Sequence, residues 1–459
     1  MSTRRVGPWQ NWSTSVRCVP ETVARPASLQ ALVRLVERYA REGRHLRVVG
    51  AGHSFTPLVA TDDVLVSLEQ MQGIESIDRD SNDVTVWGGT RLRRLGHDLL
   101  ACGLAQENLG DIDVQSIAGA ISTGTHGTGT GFGTLSTQVA GLTLVTGAGE
   151  ILECSEEQHP DIFRAAQTSF GTLGIIAKVR LRTVPARLSH YRGYRERLSS
   201  VLAHLESYKQ EHSHFEFFWF PHTDWVQAKF LDVQSPHNEL RQDGQLPGRR
   251  SSMASAMSTV NKIVLENWVY QGISQMCRLA PSLCPMASRI SAASIARIDE
   301  VDYSHRLFAT PRMVRFQEME YNLPAEHLPE SLGRIRQTIS DQKIAVHFPV
   351  ECRFVRGDDI WLSPAYGRDS AYIAVHMYRG MPYTAYFHQV EAIYQDYQGR
   401  PHWGKMHTLD HRTLAHLYPR WGDFLRVRQQ LDPQGMFLNT YLHELLGLEL
   451  SKPASGGQG

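Results

Sequence analysis

The chain carries no surplus of either charge: 47 Lys and Arg stand against 47 Asp and Glu over 459 residues. That balance excludes the basic field by which proteins hold nucleic acid or an anionic lipid surface, so neither is expected as a partner. Long apolar runs are missing too, none approaching the roughly twenty residues that cross a bilayer. Ser258 to Ile298 reads as amphipathic and is broken by Pro281 and Pro285, which argues against stable membrane association. The opening Met-Ser-Thr-Arg-Arg has no apolar stretch behind it, so no secretory signal is read and a cytoplasmic location is expected. Cysteine is sparse. Cys18, Cys102, Cys154, Cys277, Cys284 and Cys352 follow no metal-ligand or disulfide-framework spacing and read as buried reduced thiols.

What is present is glycine in three informative places. Leu46 to Val49 reads as a buried strand that runs into Gly50-Ala51-Gly52-His53-Ser54. Gly50 and Gly52 are expected to take φ > 0 and to present consecutive N–H groups to a pyrophosphate. A Rossmann fingerprint fails here, because Phe55 replaces the third glycine, Pro57 interrupts a helix start, and a new strand, Val64 to Leu68, arrives before a crossover helix fits. A nucleophile elbow fails because Thr56 stands where its second glycine belongs. The run from Gly119 to Gly129 and the start of the strand at Gly171 to Ile176 add two more glycine-dense segments. Such segments let backbone approach a flat or charged ligand, and three of them linked by short strands imply one large cofactor site.

Periodicity divides the remainder. Short β runs such as Val84 to Trp87 and Leu142 to Val145 alternate with helical stretches such as Leu29 to Glu42 and Leu92 to Cys102 up to about Pro185. A chain of this length exceeds one ordinary core and predicts two domains. Ser235 to Ser252, the most polar stretch, is expected to be a surface loop. Glu351 and Arg353 alternate on a predicted strand, so both face one side and Cys352 the other. His402, His407 and His411 invite a zinc reading, but the segment has no suitably placed glutamate, and no metal site is expected.

Further motifs follow in order: Phe218-Trp219-Phe220-Pro221-His222, Pro349 to Phe354, Arg356-Gly357-Asp358-Asp359, Arg400-Pro401-His402-Trp403-Gly404-Lys405, and Leu431 to Asn439. Taken together with the glycine turns, this order resembles the covalent-flavin aldonolactone oxidoreductases of the vanillyl-alcohol-oxidase superfamily, the group of L-gulono-1,4-lactone and D-arabinono-1,4-lactone oxidases. The resemblance covers about Trp9 to Leu446. It implies an α+β chain: a two-subdomain FAD-binding domain of vanillyl-alcohol-oxidase type over 10–187, a sheet-based substrate cap over 188–425, and a segment over 426–450 that returns to the FAD domain. The Ser- and Gly-rich tail, 451–459, is expected to be disordered.

The resemblance also assigns residues. FAD would be held by Val49, Gly50, Ala51, Gly52, His53 and Ser54, by Gly110, Asp111, Ser116 and Gly119, by Ser122, Thr123, Gly124, Thr125, His126 and Gly127, by Gly174, Ile175 and Ile176, and by Lys405. His53 matches the histidine that the family bonds to the flavin's benzenoid ring, which raises the flavin's potential and prevents its loss. Glu351, Arg353, Lys405 and His376 match catalytic positions. The implied reaction oxidises the secondary alcohol next to the carbonyl of a sugar lactone to the 2-keto-lactone, an ascorbate-type product, with O2 reduced to H2O2. Gly110 stands where plant galactonolactone dehydrogenases, which react poorly with oxygen, have alanine, and so favours the oxidase. An alditol oxidase, a lactone dehydrogenase and a flavoprotein without turnover remain as alternatives.

Overall fold

The computed structural model describes residues 7–234, 269–308 and 314–449. The expected surface loop Ser235 to Ser252 and the tail over 451–459 lie outside these residues, as does the first part of the Ser258 to Ile298 stretch.

Three sheets carry the site. The first is parallel and three-stranded, with β2 (Leu46–Val49) and β1 (Thr22–Ala24) flanking β3 (Val64–Ser67). Its cover is the helix Leu29–Arg41, started by Ser28, whose Oγ accepts from Ala31 N at 3.2 Å. Leu32 and Val36, one turn apart, are buried with Val64 and Val66. β2 and β3 pair directly in parallel with no helix between them. Residues 50–63 make the whole crossover, which frees the glycine turn from any duty but binding.

The second sheet is antiparallel, in the order β7 (Ile151–Ser155), β6 (Val139–Val145), β8 (Ile175–Arg182), β5 (Asp83–Trp87), β4 (Ile74–Ile77). The third has eight strands, in the order β12 (Ile298–Tyr303), β9 (Leu188–Arg197), β11 (Trp225–Val233), β10 (His214–Trp219), β14 (Val350–Val355), β15 (Ser370–Tyr378), β13 (Phe316–Pro324), β16 (Arg400–Pro401). One face of it is apolar, with Phe217, Cys352 and Ile373 in cross-strand register. The helices Leu328–Asp341 and Thr384–Asp396 cover that face, where Tyr321 Oη donates to Glu391 at 2.5 Å and Tyr394 Oη to Ile373 O at 3.0 Å. Side-chain alternation turns the neighbouring positions to the opposite face, toward the glycine turn.

The C-terminal stretch packs beside β2. Asp432 accepts from Met436 N and Phe437 N at 2.8 and 2.9 Å, Leu46 N donates to Met436 O at 2.8 Å, and Asn439 Nδ2 to Pro57 O at 2.9 Å. Arg47 knots these parts together. Fully buried, it donates to Leu58 O, Phe170 O, Gly171 O and Phe437 O, and burial pulls its pKa down to about 9 against the attraction of Asp432. No helix among the described residues is long and apolar enough to cross a membrane.

Candidate active site

A groove of about 1020 Å³, counting its open mouth, runs along the turn after β2. It is lined by 48–54, by Gly88 and Gly89, by the short helix at Ser116 and Gly119, and by Gly171 and Gly174 to Ile176. Gly52 takes φ +68°, as the turn requires. Gly50 does not, contrary to the sequence reading. Its lack of a side chain serves close approach instead, since a Cβ there would overlap Ser116 Oγ. The turn is bolted on two sides. Asn11 Nδ2 donates to Ser54 O at 2.9 Å, Phe55 N to Gly404 O at 2.7 Å, and Thr56 Oγ1 to Trp403 O at 2.9 Å. A backbone-lined trough that side chains would fill fits an extended dinucleotide such as FAD.

A second cavity, of about 650 Å³, shares His53, Ser54, Gln115 and Thr123 with the groove. His53 therefore stands at their junction, its ring stacked on Trp12 at 5.4 Å. The floor of this cavity is the polar face of the eight-stranded sheet. Glu216 on β10 pairs with Arg353 on β14 in register, and Glu318 on β13 with His376 on β15. The Arg353 guanidinium meets three carboxylates: Glu351 at 2.6 Å, Glu216 at 2.7 Å and Asp111 at 3.4 Å. Lys229 lies 3.3 Å from Glu216, and Lys405 2.6 Å from Glu318.

Burial shapes the electrostatics, and neighbours then decide the sign. Desolvation alone would raise Glu216, but Arg353 and Lys229 outweigh it and hold its carboxyl below the usual range. Arg353 is likewise desolvated, yet Glu351, Glu216 and Asp111 keep its pKa above the ordinary arginine value. For Glu320 the contact with His126, 3.2 Å away, and the charge of Lys405 overcome burial and bring the pKa down to about 2. Burial pushes His402 down to about 3, so its ring is neutral, and its Nδ1 accepts from Gly404 N at 3.0 Å.

The residues named from sequence fall into three places. Val49 to Ser54, Ser116, Gly119, Ser122, Thr123 and Gly174 to Ile176 line the groove. Gly110, Asp111, Thr125, His126, Arg353 and Lys405 line the second cavity. Gly124, Gly127, Glu351 and His376 line neither. Gly124 takes φ +72° in a turn, and Gly127 packs on Leu109 O. Glu351 pairs with Arg353 at 2.6 Å, while His376 Nδ1 meets Pro349 O at 3.1 Å and its Nε2 lies 3.4 Å from Glu318. Sequence reasoning missed Glu216, Lys229, Glu318 and Glu320. The last two carried a signal: carboxylates two apart in a strand whose residues 316–323 are all buried, and hence on one face.

Residues 179–445 match the model of the D-arabinono-1,4-lactone oxidase family, and residues 20–155 that of the FAD binding domain. The chain belongs to the D-arabinono-1,4-lactone oxidase family. Its relatives include L-gulono-1,4-lactone dehydrogenase of Mycobacterium tuberculosis, 40% identical over 96% of this chain and 99% of that one. L-gulonolactone oxidase of Scyliorhinus torazame is 32% identical over 95% and 97%. Among solved structures, cholesterol oxidase from B. sterolicum superposes with a TM-score of 0.76 over 96% of both chains at 18% identity. At that identity the likeness gives the fold, which is of the vanillyl-alcohol-oxidase type.

Proposed function

We propose that this family member oxidises an aldono-1,4-lactone, of the L-gulono-1,4-lactone kind, at the hydroxyl next to the carbonyl. The product is the 2-keto-lactone, the ascorbate-type compound. The observation that carries this reading is the charged face of the sheet: Asp111, Glu216, Glu318, Glu320 and Glu351 against Arg353, Lys229 and Lys405. An excess of carboxylates suits the donated hydroxyls of a neutral sugar ring and repels a free sugar acid.

Bound FAD supplies the acceptor for the two electrons that leave with the substrate's C–H hydrogen. Arg353, fixed in a fork by three carboxylates, holds a substrate oxygen in one orientation. Glu351 keeps that fork in place, while Lys405, held by Glu318, binds the oxygen that becomes the carbonyl and Glu318, in the cavity wall, takes up the hydroxyl proton. His53, at the junction of groove and cavity, bonds the flavin covalently through a ring nitrogen. Gly110 leaves room for O2, which ends as H2O2, the whole taking place in the cytoplasm. The Mycobacterium tuberculosis relative, named a dehydrogenase, supports a second reading in which another acceptor replaces O2.

Glu351→Gln is the test. It should keep flavin in full yet lose reduction by lactone, whereas a flavoprotein without turnover would show no reduction in either form. Acid precipitation should leave the yellow colour with the protein and release it from His53→Ala.

A further inference from the structure

A second cluster of reactive side chains lies outside the groove and the cavity that the reaction uses. The sulfurs of Cys277 and Cys284 and a ring nitrogen of His347 lie within 4.8 Å of one another. Cys277 belongs to the helical residues 269–279, Cys284 opens the helix Cys284–Ala293, and His347 stands three residues before β14. All three are buried at 1% exposure or less. Cysteine spacing along the chain gave no hint of it, since the third member is a histidine more than sixty residues away.

The histidine is set as a ligand would be. Its Nε2 meets Ser274 Oγ at 3.0 Å, and its Nδ1 faces Cys284 Sγ at 3.9 Å. With Nε2–H given to the serine, Nδ1 turns its lone pair toward the sulfurs, the outer-partner arrangement that orients histidines at metal centres. We propose that Cys277, Cys284 and His347 form a zinc(II) site, binding through two thiolates and Nδ1. Zinc displaces one proton from each thiol, so a dication, two thiolates and a neutral imidazole make a complex of zero charge, which a buried apolar pocket tolerates. Ligand atoms around a tetrahedral zinc stand roughly 3.3 to 3.8 Å apart, so closure by about an ångström lets the three side chains bind, with water in the fourth position.

The position gives the ion a purpose. It would staple two helical segments to the root of β14, the strand that carries Glu351 and Arg353, next to Pro349 O, which holds His376. The test is metal analysis of the purified flavin-loaded protein after passage over a chelator, with zinc X-ray absorption on the same sample. About one zinc per flavin is expected, with two sulfurs at about 2.3 Å and nitrogen at about 2.0 Å. Cys277→Ser and Cys284→Ser should drop zinc to near zero while retaining flavin. Should those variants fail to fold, Ser274→Ala decides. It should keep flavin and lose zinc to a competing chelator about ten times more readily. Protein that holds no zinc and takes none up on dialysis, a mass two hydrogens lighter that marks a disulfide, or copper in place of zinc would each overturn the proposal.

Discussion

Replacing Arg353 by Met should expose how much the charged face depends on one guanidinium. In the intact protein that group is within 3.4 Å of Glu351, Glu216 and Asp111, with its own side chain 8% exposed and those of the carboxylates 4%, 16% and 20%. Removing it leaves three carboxylates facing one another, with Lys229 beside Glu216. Breaking a buried pair from one side costs about 3–5 kcal/mol. The cost should depend on pH. Without the cation the carboxylates raise one another, so their folded pKa values exceed the unfolded range of about 4. The penalty is therefore full above those raised values and shrinks as pH falls through them, by about 1.4 kcal/mol per pH unit for each proton taken up. Urea unfolding of both forms, followed by tryptophan fluorescence at about pH 8 and about pH 5.5, measures the difference. A loss under about 1 kcal/mol, or one equal at both pH values, would refute the reading of this face as a coupled charge network.

Three further outcomes follow from other parts of the structure. Arg47→Met orphans four carbonyls around the flavin groove and should cost about 2–4 kcal/mol, seen as a lower Tm and weaker flavin retention. Gly110→Ala places a methyl 3.2 Å from His126 O and 3.3 Å from Thr125 Cγ2, so the backbone at the cavity wall must yield slightly. Reoxidation by air should slow about tenfold, or 1.4 kcal/mol of barrier, with anaerobic reduction unchanged, and unchanged air reoxidation would dismiss Gly110 as the oxygen gate. His402, held at about 3, and His214 and His407, each held at about 4, all sit below their ordinary 6.5. The unfolded chain binds their protons first, so stability is full above about pH 6.5 and falls as pH drops toward 4, by about 1.4 kcal/mol per unit for each ring. A flat denaturation midpoint across that window would contradict their burial as neutral rings.

Local chemistry was legible in the sequence, and so was the order of elements. The Gly52 turn, the strand on which Glu351 and Arg353 alternate, and the direct arrival of Val64 after the turn all follow from rules acting over a few residues. What lay beyond reach depends on register between distant strands. Glu216 and Lys229 join Arg353 only because β10 and β11 pair where they do, and no spacing encodes that. Gly50 shows the same limit: its use is the approach of Ser116, 66 residues on, rather than a backbone angle. Cys277, Cys284 and His347 meet through tertiary packing alone. Glu318 and Glu320 were in plain view as alternating carboxylates, and what hid them was the absence of a familiar motif.

The central claim is that the cavity beside His53 takes a neutral sugar lactone. It is tested most directly by the flavin absorbance of the purified protein mixed anaerobically with L-gulono-1,4-lactone, L-galactono-1,4-lactone, D-arabinono-1,4-lactone, xylitol or the open-chain sugar acids, and then exposed to air. Bleaching by one of the lactones, none by the acids, and quick recovery of colour in air is the predicted result. Bleaching by xylitol alone, or by none of the compounds, would contradict it.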